Sequence, residues 1–131
     1  MAQNYRKQLG AKGENLAAEY LVSLGFALLE RNYHARGGEI DLILLKDDKL
    51  FFVEVKTRKS NLFGPGESSV TVKKLRSLTT AIYAYLESHP ESPLDWQIDL
   101  VVVEPKANSG EPTFLHFENL SLEQHGAQFQ A

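Results

Sequence analysis

Apolar and polar positions divide the chain into one long helical stretch, three strand-like runs, a second helix and one or two further strands. The clearest unit is a pair of β-favouring runs, Glu39 to Lys46 and Lys49 to Lys56, separated by Asp47-Asp48, the pattern of a hairpin closed by a two-residue loop. That loop pairs Lys46 with Lys49, so partners across the hairpin have numbers summing to 95. Strict alternation then sets Asp41 opposite Glu54 and Glu39 opposite Lys56, on one face with Ile43, Leu45, Leu50 and Phe52 nearer the turn. The opposite face is apolar almost throughout. An odd-length loop would send Asp41 and Glu54 to different faces.

Upstream, Leu9, Leu16, Ala17, Tyr20, Leu21 and Leu24 recur at helical spacing, predicting a helix from about Tyr5 to Leu24 with Gly25 as its stop. At roughly 100° per residue Glu14 falls on the border of that stripe, and Glu19 points away. Gly10 and Gly13 lie inside the helix, where each costs about 1 kcal/mol relative to alanine. Either something approaches that surface closely, or the helix packs tightly on a sheet. Phe26 to Tyr33 reads as a first strand, and Ala35-Arg36-Gly37-Gly38 as a mobile turn into the hairpin. After the glycine-rich loop Arg58 to Ser68, Ser69 can cap a second helix running to about Ser88, with Val72, Leu75, Leu78, Thr79, Ile82, Tyr85 and Leu86 as its core stripe. Trp96 to Val103 is nearly continuous in apolar residues, as in a strand covered on both faces. Thr113 to Phe117 can pair as a final strand after a turn at Asn108-Ser109-Gly110.

With 131 residues the chain suits one domain, assigned to residues 1–120 with a polar, flexible tail at 121–131. It contains no cysteine, which excludes disulfides and thiolate metal sites, and no apolar run approaches the ~20 residues that span a bilayer. The opening Met1-Ala2-Gln3-Asn4-Tyr5-Arg6-Lys7 lacks the apolar core of a secretion signal, so a cytoplasmic protein without membrane association is expected. Net charge is −3, which argues against holding nucleic acid by bulk electrostatics. Its distribution is uneven: residues 1–76 carry thirteen Lys or Arg against nine acids, and residues 77–131 carry one against eight. Lys56, Arg58, Lys59, Lys73, Lys74 and Arg76 cluster around the glycine-rich loop, either as a solvated face or as a phosphate-facing rim. Lys73, Lys74 and Arg76 oppose the dipole of the second helix, which makes more sense if its N-terminus faces phosphate.

The chemistry turns on the opposed acids. Two carboxylates about 5 Å apart across a hairpin repel by roughly 3 kcal/mol at an effective dielectric near 20. Two offsets are open: a salt-bridge ladder from Glu39 to Lys56 with one acid protonated, or a bound cation. Asp99, a lone acid in an apolar run, reads as a hydrogen-bond acceptor for backbone, Arg or Lys. His34, His89, His116 and His125 have no metal-ligand spacing, and no nucleophile elbow or phosphate-cradling glycine loop occurs. Tyr5, Tyr33 and Phe63 can border the site and stack on bases, or complete the core.

Taken together, Gly10-x-x-Gly13-Glu14, Gly38-Glu39-Ile40-Asp41-Leu42, Val53-Glu54-Val55-Lys56-Thr57-Arg58, Phe63-Gly64 and Asp99-Leu100-Val101 resemble the YraN-type family of small bacterial proteins. That family is similar to Holliday junction resolvases, within the restriction-endonuclease-like superfamily. The resemblance implies an α/β fold with an αβββαβ core, a mixed central sheet flanked by helices, and a metal-dependent nuclease site at one sheet edge. By resemblance, Asp41 is the central metal ligand, Glu54 the second, Lys56 the charged partner and Glu14 the helix acid that completes the site. Glu39 is a spare ligand or the partner of Lys56. Ile40 stands where the superfamily usually has proline, a position that sets backbone shape and carries no chemistry.

On that resemblance and the needs of phosphodiester cleavage, Mg²⁺ or Mn²⁺ is expected on Asp41, Glu54 and the Val55 carbonyl, with Glu14 binding through water or holding a second ion, Lys56 orienting water and stabilising phosphate charge, and a 5′-phosphate product. Nucleic acid is the expected partner, DNA before RNA, branched or structured DNA included, with Arg36, Arg58, Lys59, Lys73 and Lys74 as contacts; a homodimer would place two sites on two strands. The rival reading is a nucleic-acid-binding module that keeps the nuclease fold without cleaving.

Overall fold

The computed structural model describes residues 2–58, 71–105 and 110–121, with side chains from Gly10 onward. Lys59, Phe63, Ser69, most of the glycine-rich loop, Asn108-Ser109 and residues 122–131 lie outside the described residues. Helix α1 spans Ala2–Ser23, followed by β1 (Ala27–Ala35), β2 (Gly38–Lys46), β3 (Lys49–Thr57), α2 (Val72–Ser88), β4 (Trp96–Glu104) and β5 (Thr113–Phe117). The five strands lie in sequence order in one sheet. Strands β3 and β4 run parallel, joined through α2; the other three pairings are antiparallel. This is the mixed, helix-flanked sheet of the restriction-endonuclease-like core, extended by β5.

The helices cover opposite faces. Ala17, Ala18 and Leu21 of α1 pack with Leu42, Leu44, Phe51, Val53, Val101 and Val103. Leu75, Leu78, Ala81, Ile82 and Tyr85 of α2 pack with Ile43, Leu50, Phe52, Leu100 and Val102. The α2 stripe is close to the predicted one, with Ala81 inside it. Its N-cap is Thr71, whose Oγ1 accepts from the Lys74 N–H at 3.0 Å, in place of the expected Ser69. Leu24 leaves the predicted α1 stripe and is 45 % exposed. The helix closes one residue earlier, Gly25 turns the chain at φ +99°, and Phe26 enters the core instead, edge-on to Phe51.

Asp47 and Asp48 have φ of 52° and 60°, the doubly left-handed pattern of a type I′ hairpin turn. The turn delivers the expected register from Lys46↔Lys49 to Leu42↔Val53. Strict alternation fails one residue further on. Leu42 lies on the α1 side, whereas Ile40 joins the α2 side together with its β1 partner Tyr33, which meets Tyr85 edge-on at 5.2 Å. The switch coincides with Asn32 at φ 51° in β1, between Arg31↔Leu42 and Tyr33↔Ile40. A left-handed residue in an edge strand rotates everything beyond it, so Asp41 sits where β2 changes faces. The simple face shared by Asp41, Glu39 and Ile43 is thereby corrected.

The turn from β1 into β2 is a two-residue connection at Arg36-Gly37, with Gly37 at φ +93° and Ala35 paired with Gly38. Close contact accounts for Gly13 and Gly38. A Cβ on Gly13 would lie 1.9 Å from Thr57 Oγ1, and one on Gly38 would lie 2.0 Å from the Ser77 carbonyl oxygen. For Gly13 the tight-packing reading holds; Gly10 has nothing within 4 Å. Among the described residues, no helix is long and apolar enough to cross a membrane.

Candidate metal centre

Regular pairing of β2 with β3 stops at Leu42↔Val53. Beyond it, the Asp41 side chain enters the gap between the strands, and its Oδ2 accepts the Val55 N–H at 2.8 Å. Glu54, the next residue of β3 toward the site, projects on the α2 side and takes an ion pair from Lys74 Nζ to Oε2 at 3.1 Å. Both acids are buried, Asp41 at 8 % and Glu54 at 7 % exposure. The other Glu54 oxygen, Oε1, is buried with no N–H or O–H donor of the protein on it, while the Glu54 and Asp41 carboxyls are close enough to share a proton when Glu54 is protonated.

Two adjacent acids in a desolvated setting resist ionising together. Burial, and then the Asp41 charge, push the Glu54 carboxyl from 4.5 to about 7, against the pull of Lys74. Burial also raises Asp41, although the Val55 N–H and Lys74 favour its charged form. Glu14 reaches this corner from α1. Its carboxyl is raised by burial and by Asp41, with Asn32 and Arg31 opposing, so Glu14 and Asp41 are close enough to feel one another's charge.

Glu39 departs from the expected ladder. Its carboxylate meets His34 Nδ1 at 3.1 Å across the β1–β2 hairpin, and no ion pair among the described residues joins it to Lys56. Lys56 is exposed at the end of β3. The cation that reaches the buried acids is Lys74, from the first turn of α2. Burial alone would lower its ammonium, but Glu54, Asp41 and Glu39 outweigh that and raise it. Lys74 also lines an open cleft of about 340 Å³, together with His34, Gly37, Gly38 and Glu39 on the hairpin side and Ser77 and Leu78 on the helix side; Asp41 and Glu54 are not part of its wall.

Of the basic rim, Arg36 is exposed in the hairpin turn and Lys73 and Arg76 are exposed on α2. Arg58 is held by Glu104, with Nε and Nη2 at 2.6 and 2.5 Å from Oε2. Tyr33 is committed to the core.

A second polar cluster lies on the α1 side at β4 and β5. Asp99 is fully buried; its Oδ1 accepts from Gln97 Nε2 at 2.8 Å and from the Asn119 N–H at 3.0 Å, and its Oδ2 faces His116 Nε2 at 2.8 Å. The hydrogen-bonding role expected of Asp99 is met, by backbone, Gln and His in place of Arg or Lys. Asp99, His116 and Glu118 bring ligand-type atoms within 4.8 Å of one another, a group that could hold a metal ion. Spacing along the chain gives no sign of it, because the Val101↔His116 pairing and the left-handed Asn119 create it.

The fold and the buried acid pair at the diverging strands define a restriction-endonuclease-like α/β protein. Within that class, the chain belongs to the uncharacterised protein family UPF0102, the YraN family, whose model matches residues 13–103. It is similar to the UPF0102 protein of Syntrophomonas wolfei, 46 % identical over 97 residues, covering 74 % of this chain and 84 % of that one. Its likeness to the UPF0102 protein of Herpetosiphon aurantiacus is 37 % over 122 residues, covering 90 % and 97 %. A Campylobacter fetus relative is 43 % identical over 95 residues, covering 72 % and 82 %.

Proposed function

We propose that the protein is a divalent-metal-dependent endonuclease that hydrolyses phosphodiester bonds in DNA, branched or structured DNA included. The observation that carries this reading is the buried Asp41–Glu54 pair with Glu54 Oε1 left unpartnered. A buried acid pair is offset by a proton or by cations; Lys74 covers Glu54 Oε2 only, which leaves Oε1 as the atom a metal ion would take when Glu54 ionises. Hard oxygen donors of this kind suit Mg²⁺ or Mn²⁺.

In this reading Asp41 and Glu54 hold the ion, with the Val55 carbonyl and Glu14 completing the set and Glu39 as a further acid at the rim. When bound, the ion supplies activation of water and neutralisation of charge on the phosphate. The chain does the rest. The Val55 N–H fixes the Asp41 carboxylate, the walls of α2 and the β1–β2 turn set the direction from which a phosphate enters, and Lys56 presents a cation at the end of β3. Exposed Arg36 and Lys73 are offered as phosphate contacts, with Arg58, anchored to Glu104, and Lys59, next in sequence, as further ones.

The test incubates wild type, Glu54→Ala and Lys56→Ala with labelled single-stranded, duplex, flap and four-way DNA and with structured RNA, in Mn²⁺. Cleavage by wild type that is abolished in Glu54→Ala supports the reading; equal cleavage by both removes it. One observation favours a binding module instead: Lys56 has no ion pair to the acids among the described residues. Nucleic-acid binding indifferent to metal, with no cleavage, would establish that alternative.

A further inference from the structure

Lys74 stands where two ligands of the proposed site would meet. Its ammonium touches Glu54 Oε2 at 3.1 Å, its side chain remains 47 % exposed, and it lines the cleft between the β1–β2 turn and α2. It also feels the charges of Asp41 and Glu39. An ammonium has three donors in a compact head on a flexible stem, and only one of them is needed for Glu54. The position carries a local penalty, since α2 has no acidic residue in its first turn and Lys73, Lys74 and Arg76 all oppose the dipole there.

We propose that Lys74 is a counter-ion exchanged for metal: in the metal-free protein its ammonium neutralises Glu54, and when a divalent cation takes that carboxylate the ammonium turns into the cleft to contact the substrate phosphodiester. The inference rests on the nuclease reading and deepens it by naming the residue that couples the two ligands. Two cations on one buried carboxylate repel. Metal binding therefore loosens Lys74 from Glu54, and by linkage a phosphate that captures Lys74 strengthens metal binding. Ser77 and the backbone of Gly37 and Gly38 also line this cleft, so a phosphate entering there has polar neighbours on both sides.

The two halves of this exchange have opposite signs, which a merely structural lysine would not produce. Lys74→Gln should bind Mn²⁺ more tightly than wild type, by roughly two- to fivefold, the range for a half-exposed ion pair. The same variant should bind nucleic acid more weakly in Ca²⁺, and metal should enhance that binding less than it does in wild type. Lys74→Arg, which keeps the charge, should stay near wild type in Mn²⁺ affinity. Metal affinity is read by calorimetry with Mn²⁺ alone, and nucleic-acid affinity by anisotropy with labelled four-way and duplex DNA. If Mn²⁺ binds Glu54→Ala as it binds wild type, the acid-pair site fails and the exchange fails with it. If Mn²⁺ binding depends on Glu54 but Lys74→Gln binds it no more tightly, the site stands and the exchange is overturned. Tighter metal with unchanged DNA binding also overturns it, because the phosphate half is then absent.

Discussion

Replacing Glu54 with glutamine should stabilise the metal-free protein, and the gain should grow with pH. In the folded state the Glu54 carboxyl is raised from 4.5 to about 7 by burial and by Asp41. Between those values the folded chain holds a proton that the unfolded chain has released. Stability from this group is therefore full below pH 4.5 and is lost as pH rises through about 7. The shift corresponds to roughly 3 kcal/mol forfeited by wild type at pH 8 and less than about 1 kcal/mol at pH 5. Glutamine approximates the protonated acid in shape and carries no charge to desolvate, and its amide can donate to Asp41. Lys74 loses its partner but is half exposed and remains hydrated. The net expectation at pH 8 is a gain of about 2–3 kcal/mol, or roughly 6–10 °C in melting temperature for a chain of this size. Urea and thermal unfolding in chelator at pH 5 and pH 8 measure it. A gain equal at both pH values, or a loss at pH 8, would refute the electrostatic account of the acid pair.

Other substitutions probe the scaffold. Gly38→Ala drives a methyl toward the Ser77 carbonyl oxygen at 2.0 Å and should destabilise by about 2–4 kcal/mol. Gly10→Ala meets nothing within 4 Å and should stabilise by up to about 1 kcal/mol; chemical denaturation of the pair separates packing from propensity. Asp99→Ala leaves the Asn119 N–H, Gln97 and His116 without their acceptor and should cost about 3–5 kcal/mol, read by urea unfolding, with hydrogen exchange at Asn119 accelerated. Asp48→Gly, at φ 60°, should leave the register intact and stabilise by about 0.5–1 kcal/mol, again by denaturation.

The hairpin and its register can be read from the chain because two aspartates between apolar runs specify a two-residue turn, and a sheet's period of two carries that information forward. It carries only as far as Leu42. The change of face at Asp41 depends on a left-handed Asn32 in a neighbouring strand, which leaves no trace in the periodicity of β2. Lys74 is visible as a misplaced charge at a helix start, but its reach to Glu54 depends on how α2 docks. Cross-strand arithmetic matches Glu39 to Lys56 on one side of β2, whereas its neighbour on the other side, His34, lies closer. His116 illustrates the same limit: strand pairing sets it beside Asp99, and no spacing rule anticipates that.

The contact of Gly38 with the Ser77 carbonyl has a mechanical consequence. Backbone lies against backbone there, beside the cleft that both residues line, so no side chain larger than hydrogen at position 38 lets the hairpin turn and helix α2 come this close. If the proposed nuclease function holds, a cleft walled this closely favours DNA that is already kinked, branched or unpaired, because a stiff duplex must be deformed to enter it.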